Sequence, residues 1–304
     1  MALLGGLVAG RGAEPPRGAL TAGLAFVIGA FALNSVVTRA IVAGHLLDPG
    51  LTTAVRFLAG AAVLAPLAAR AGGGHAARPA RSSVAPAFWL GAYAFAISYG
   101  YQHIGAAAGT LVFYACVLLT MTLAGAALEG QPPAPRATVG SLVALGGVAV
   151  LAAGRNEGAT LLGVALLALT GAAWGAYSVL GRRRPDALAH SAANFSTLAL
   201  ALVPFAALLG AGVAGPVAFT TEGLALALLM GAVTTALSYV VWYWALARIT
   251  RTQAGTYQMA IPVLAGAMGV FVLGEPLTVR LALAGACVLV GMALATPRAA
   301  KRPI

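Results

Sequence analysis

The sequence has almost no acid. Its seven carboxylates, Glu14, Asp48, Glu129, Glu157, Asp186, Glu222 and Glu275, lie outside the apolar runs or at their ends. Charged residues of both signs make up only 8% of the chain, against 61% hydrophobic. A soluble domain needs a charged outer face, at about 25% charged residues. That class is excluded, and a chain solvated mainly by lipid is expected. Cysteine is also scarce. Cys116 and Cys287 both lie within apolar stretches, which predicts small buried side chains rather than a disulfide or a metal pair. His45, His75, His103 and His190 are peripheral. No metal-ligand spacing occurs, no phosphate loop with its lysine, and no catalytic set at a common depth. The expectation is therefore no enzyme, no metal and no cofactor.

Basic residues are not lacking. The net charge is +11, and Lys301 is the one lysine among 18 basic residues. In a soluble protein this balance would point to nucleic acid. Here the positions of the arginines explain it better, and no nucleic-acid partner is expected. A cleavable signal is not expected either, because the apolar start precedes its positive charges, Arg11 and Arg17.

What remains is apolar sequence, cut by charge, proline and glycine. About 20 residues cross the hydrocarbon. Ten spans are expected, near 20–42, 50–69, 85–104, 107–128, 138–154, 159–180, 190–211, 223–246, 254–273 and 278–296. Two of them repeat each other. Ala254, Gly255, Thr256, Val263, Leu264 and Glu275 stand 146 residues after Ala108, Gly109, Thr110, Val117, Leu118 and Glu129. The next spans keep the register with one residue lost, as Gly140, Val143 and Gly146 answer Gly285, Val288 and Gly291. The first spans of each half match more weakly, with Phe31, Asn34 and Arg39 answering Trp174, Tyr177 and Arg182.

Five spans per repeat force the second half to enter the membrane in the opposite sense. The expected architecture is an all-α membrane protein of ten transmembrane helices in an inverted 5+5 repeat, divided as residues 1–157 and 158–304. With both termini in the cytoplasm, fourteen basic residues fall inside. Only Arg39, Arg155 and Arg280 fall outside, and Arg56 lies within a span. That bias follows the positive-inside rule.

Ten spans, the inverted repeat and Pro262-Val263…Leu273-Gly274-Glu275-Pro276-Leu277-Thr278 resemble the drug/metabolite transporter superfamily, and within it the EamA-type bacterial exporters. The run Ala172-Ala173-Trp174-Gly175-Ala176-Tyr177 and the arginine of the second span are similar to that family too. The first half departs in having Cys116 where the second has Pro262, and Phe31 where the family often has Trp. The resemblance covers nearly the whole chain. It implies export of small metabolites across the inner membrane by alternating access, with amino acids, aromatic ones included, as substrates. The alternatives are an exporter of organic cations or drugs, and a non-transporting membrane scaffold.

Candidate site residues follow from depth and chemistry. Arg56 is the one charge within a span, where a central arginine costs about 2.5–3.5 kcal/mol on insertion scales. It snorkels, bonds a carbonyl or Asp48, or reads a substrate carboxylate. Glu129 and Glu275 end the fourth and ninth spans, the unfavourable end of a helix for an anion. They need donors, from Arg136 or the following loop, and are assigned a structural role together with Pro262. Trp174 and Tyr177 share a helix face and head the expected binding wall, a chamber near the midplane between the repeats. Tyr99, Tyr114, Tyr239 and Tyr257 are weaker members, and Asn34 and Gln258 supply polar contacts. The expected partners are a small-molecule substrate and the lipid bilayer, with monomer and homodimer both open. No acid lies mid-membrane, so coupling to protons through a central carboxylate is not expected.

Overall fold

The computed structural model describes residues 17–72, 79, 81–130, 132–153, 159–181, 186–213, 217–249 and 251–296. The termini and the Arg182–Arg184 turn, on which part of the expected sidedness rests, fall outside this set. Apolar residues without strong breakers become helices of membrane length. These are α1 (Arg17–Ala43), α2 (Pro49–Gly72), α3 (Val84–Gly100), α4 (Ala106–Glu129), α5 (Pro135–Ala152), α6 (Leu161–Gly181), α7 (Ala187–Gly210), α8 (Thr221–Leu246), α9 (Arg251–Leu273) and α10 (Val279–Ala295). Seven are long and apolar enough to cross a membrane. The apolar part of α9, Tyr257–Leu273, is shorter, as are α10 and the 17-residue α3. Among the described residues there is no strand, only the isolated antiparallel bridges Leu47–Phe219 and Ile104–Ala159 between turns.

Three of the acids, Asp48, Asp186 and Glu222, lie at helix starts. Asp48 Oδ1 accepts the N–H groups of Gly50 and Leu51 at the head of α2. Asp186 accepts that of Ala189 at the head of α7, and Glu222 lies in the first turn of α8. The N-terminal end of the helix dipole favours an anion, and the side chain satisfies donors that the helix leaves free.

Helices α5 and α10 form one close pair, α4 and α6 a second, α2 and α7 a third, and α3 and α6 a fourth. Helix α1 packs on α8 and α9, and α2 packs on α8. Between α5 and α10 the backbones touch. A Cβ added to Gly140 would run into the Gly291 carbonyl, and one added to Gly291 would run into the Gly140 carbonyl. Farther along, Gly147 meets Ala284, so the two helices run antiparallel. The same holds for α2 and α7, where Gly60 meets Phe195 and Gly50 meets Phe205. Small residues allow this approach, which replaces the hydrophobic force as the source of helix association in lipid. Pro66, Pro204 and Pro262 lie inside α2, α7 and α9. At Pro262 the missing N–H leaves the Gln258 carbonyl without its helix partner.

One helix departs from α geometry. Residues Met230–Leu237 of α8 form a π-helical segment, in which bonds reach one residue farther than in an α-helix. It packs on α1 and α2.

Candidate functional site

Arg56 is fully buried. Its Nε donates to Thr235 Oγ1 at 2.8 Å and its Nη2 to Tyr93 Oη at 3.0 Å. The guanidinium also lies 5.0 Å from the Phe57 ring centre and 5.4 Å from that of Tyr93. Nη1 makes no hydrogen bond. Snorkelling and a bond to Asp48 are thus corrected: the arginine is tied to hydroxyls of α8 and α3, and Asp48 is occupied at its own helix start. Close packing delivers Thr235. A Cβ at Gly231 would collide with the Arg56 carbonyl oxygen, so glycine lets α8 approach α2 at this point.

Asn34 continues the polar cluster. Its Nδ2 donates to Thr234 Oγ1 and Thr235 Oγ1, both at 3.1 Å. Asn34 Oδ1 and Tyr239 Oη are buried without a hydrogen bond. Such groups are costly in an interior and call for a partner. Around them the rings close in. Trp174 contacts Phe31 at 5.7 Å, Tyr93 at 5.2 Å, Tyr177 at 5.6 Å and Tyr239 at 4.9 Å between centroids. Phe31, Asn34, Ser35, Tyr93, Phe113, Tyr114, Trp174 and Tyr239 leave a void of only about 10 Å³, roughly one water.

The open room lies elsewhere. A half-open cavity of about 310 Å³ sits between the C-terminal ends of α4, α6, α8 and α10 and the N-terminal end of α9. Leu118, Met121, Trp242 and Met292 give it an apolar wall, and Thr122, Ser178 and Gln258 give it hydroxyls and an amide. No charged side chain is among its described lining residues. Tyr114 lines both this cavity and the small ring-lined void.

The expected site residues therefore divide. Asn34, Tyr114, Trp174 and Tyr239 come together at the void, with Arg56 behind Tyr93. Gln258 lines the large cavity. Tyr177 is buried beside Trp174 and accepts from Asn194 Nδ2 at 3.5 Å, but lines neither space. Tyr99 is exposed and Tyr257 half-buried, and both lie away from the two linings. Tyr93, Phe113, Thr234, Thr235 and Trp242 are the members the sequence reading left out. The adjacent hydroxyls of Thr234 and Thr235, deep inside an apolar run, were a readable signal. The chamber lined by both Trp174 and Tyr177 is replaced by a packed ring cluster beside an open cavity, because the rings fill the space between them.

Glu275 corrects a second expectation. Its donors are not in the loop that follows it. The carboxylate accepts the N–H of Ala106 at 2.6 Å and that of Ala107 at 3.1 Å, at the head of α4, and lies 3.6 Å from Arg39 Nε. The anion has left the unfavourable end of one helix for the favourable end of another. The side chain of Glu129 falls outside the described residues. Cys116 and Cys287 are free, the first buried and the second partly so.

Residues 161–296, which hold α6 to α10, match the model of the EamA-like transporter family. An uncharacterized protein of Pseudomonas aeruginosa is 41% identical over 269 residues, covering 87% of this chain and 90% of that protein. The second half of the chain is an EamA-like transporter domain. An uncharacterized transporter of Archaeoglobus fulgidus is 29% identical over 171 residues, 54% of this EamA-like chain and 58% of the relative. A crystal structure that is 24% identical superposes with a TM-score of 0.65, covering 92% of this chain and 98% of its own; at that identity the likeness carries the fold alone. Members of the EamA-like family are transporters rather than enzymes, so this chain is a multi-pass membrane protein of a small-molecule transporter family.

Proposed function

We propose that the chain exports small amphipathic metabolites, amino acids first among them, from the cytoplasm across the inner membrane of a bacterial cell. Both termini lie in the cytoplasm. The halves 1–157 and 158–304 are inverted five-helix repeats that rock against each other to give alternating access. Helix pairing supports the repeat. Exchanging the halves turns the pair α4–α6 into α9–α1, and α3–α6 into α8–α1, and all four pairs occur. Helices paired with their own counterparts, α2 with α7 and α5 with α10, run antiparallel, as a two-fold axis in the membrane plane requires.

The observation that carries the transport reading is the half-open cavity of about 310 Å³ that reaches Tyr114 and the ring-lined void. A scaffold would have that room filled. The apolar body of a substrate lies against Leu118, Met121, Trp242 and Met292, and its polar head moves inward toward Asn34 and Tyr93. Arg56, whose hydrogen bonds go to hydroxyls and whose Nη1 makes none, supplies the counter-charge for a substrate carboxylate. Organic cations find no acid in the described lining. Rings at the inner end suit aromatic amino acids. The described helices carry no acid in their interiors, so transport runs down the substrate gradient without a carboxylate to carry protons.

The test is uptake into proteoliposomes across a panel of amino acids and organic cations. Saturable, facilitated flux of phenylalanine or another apolar amino acid is expected, with no response to an imposed pH gradient alone. Flux of cations without amino acids refutes the substrate class. Sidedness is checked separately: Glu222→Cys should react with an impermeant thiol reagent from outside, and Arg136→Cys should not.

A further inference from the structure

We propose that Glu275 is the outer gate of the transport path. Its carboxylate holds the outer ends of α4 and α9 together in the state described above, and it leaves the α4 amides when the path opens outward. The proposal rests on the alternating-access reading, but its test needs no substrate.

The argument begins with the two helices that the carboxylate joins. Helix α4 starts at Ala106 and α9 ends at Leu273, and these two ends are brought together by Glu275. Toward their other ends both helices line the cavity, α4 with Val117, Leu118, Met121, Gly125 and Ala126 and α9 with Ala254 and Gln258. The clamp thus lies at one end of the pair and the cavity toward the other. A path from the outside into that cavity must part the two helices at the clamp.

The clamp is built for one side chain. Gly274 takes a left-handed backbone, with φ of 67°, and the Glu275 N–H returns to the Gly269 carbonyl at 3.0 Å. This folds the chain back and drops the carboxylate between α9 and α4. Room is left by two glycines: a Cβ on Gly269 would lie 2.7 Å from Oε2, and one on Gly105 would lie 2.9 Å from it. Arg39 closes the third side, with Nε near the carboxylate and Nη1 donating to the Tyr101 carbonyl. One carboxylate thus links the α3–α4 turn, the α9–α10 turn and α1.

The clamp is also reversible. The side chain of Glu275 is 13% exposed and that of Arg39 24%. Water can reach both, so the two amides and the carboxylate can be rehydrated when they separate. A fully buried brace would lack that route, since its polar groups would part without solvent. Apolar contact alone would not mark this end as special, because the helix flanks are apolar throughout.

The experiment is thiol accessibility. Ala107 is 3% exposed and sits directly under the carboxylate. In a background without the two native cysteines, Ala107→Cys is placed in the parent and in two gate variants. Glu275→Gln keeps the size but turns an NH2 group toward backbone donors. Gly269→Ala keeps the charge but pushes the carboxylate off the amides. An impermeant maleimide is added from outside, and labelling from inside is followed in parallel. At least a threefold faster reaction from outside is expected in either variant that folds, judged by a monodisperse elution profile, with inside labelling unchanged. Unchanged outside labelling in both variants overturns the gate and leaves Glu275 a static brace. Equal acceleration from both faces also overturns it, because that marks general loosening. Neither result touches the substrate reading, which depends on flux.

Discussion

The two ends of this molecule stand in different conditions. At the end that holds Glu275 the turns are laced together. Asp48 N–H reaches the Ala218 carbonyl at 2.8 Å, Thr160 N–H reaches that of His103 at 3.0 Å, and Thr220 Oγ1 donates to the Leu46 carbonyl at 2.8 Å. At the end that holds the cavity, two of the described polar side chains turn back on their own helices. Gln258 donates to Ala254 and Arg248 to Trp244, each one turn earlier. The difference teaches what closure consists of. Apolar flanks are equally content against lipid or against each other, so they do not favour one end over the other. Bonds between turns do.

This contrast can be broken in its middle first. Trp174 lies within the packed ring cluster and touches four rings. Trp174→Ala should cost about 3–5 kcal/mol, as large core truncations do. Thermal unfolding in detergent reads this, and a loss below about 1 kcal/mol would remove the ring cluster from the core. Trp174→Phe is the gentler change for comparing phenylalanine and threonine transport.

A smaller effect separates the ends themselves. A Cβ on Gly163 would lie 2.9 Å from the His103 backbone, at the laced end. Gly163→Ala should destabilise by about 1–3 kcal/mol through overpacking. Arg56→Gln should leave the protein in the membrane and lower flux of carboxylate-bearing substrates by about tenfold, the equivalent of one charge-assisted bond; normal flux would make Arg56 a packing residue. The smallest change is at the open end, where nothing lies within 4 Å of a Cβ on Gly125. Gly125→Ala should stabilise by about 0.4–1 kcal/mol, the gain in helix propensity. A loss there would mean that the two ends are packed alike.

Helix limits were largely legible, because apolar length and breakers set them. Expected spans and observed helices agree within a few residues for most of the chain, as at 107–128 against Ala106–Glu129. Faces were not legible. Tyr93 and Tyr99 are six residues apart, hence about 120° apart around the helix, and a uniformly apolar α3 gives no clue to which one points inward. The structure turns Tyr93 to the site and Tyr99 to the surface. The partner of Glu275 was hidden for another reason: its donors lie at Ala106 and Ala107, some 170 residues earlier, and no local pattern encodes a contact of that range. The role of Arg56 was half legible. Its cost in lipid announced it, but the hydroxyls that receive it come from α3 and α8.

The π-helical segment of α8 acts as a phase shifter. Each bond there spans an extra residue, so everything downstream is rotated away from the position that an unbroken helix would give it. At the start of the segment Met230 meets Thr38 of α1; farther along it, Thr234 and Thr235 meet Asn34 and Arg56; after it, Tyr239 and Tyr243 meet the rings of Trp174 and Tyr177. One span thereby addresses three neighbours that a straight helix would present in a different order. Were the segment to tighten to the α period with all of its residues kept, Tyr239, Trp242 and Tyr243 would swing by about 100°. The ring cluster would lose its members on that helix with no aromatic residue having been changed.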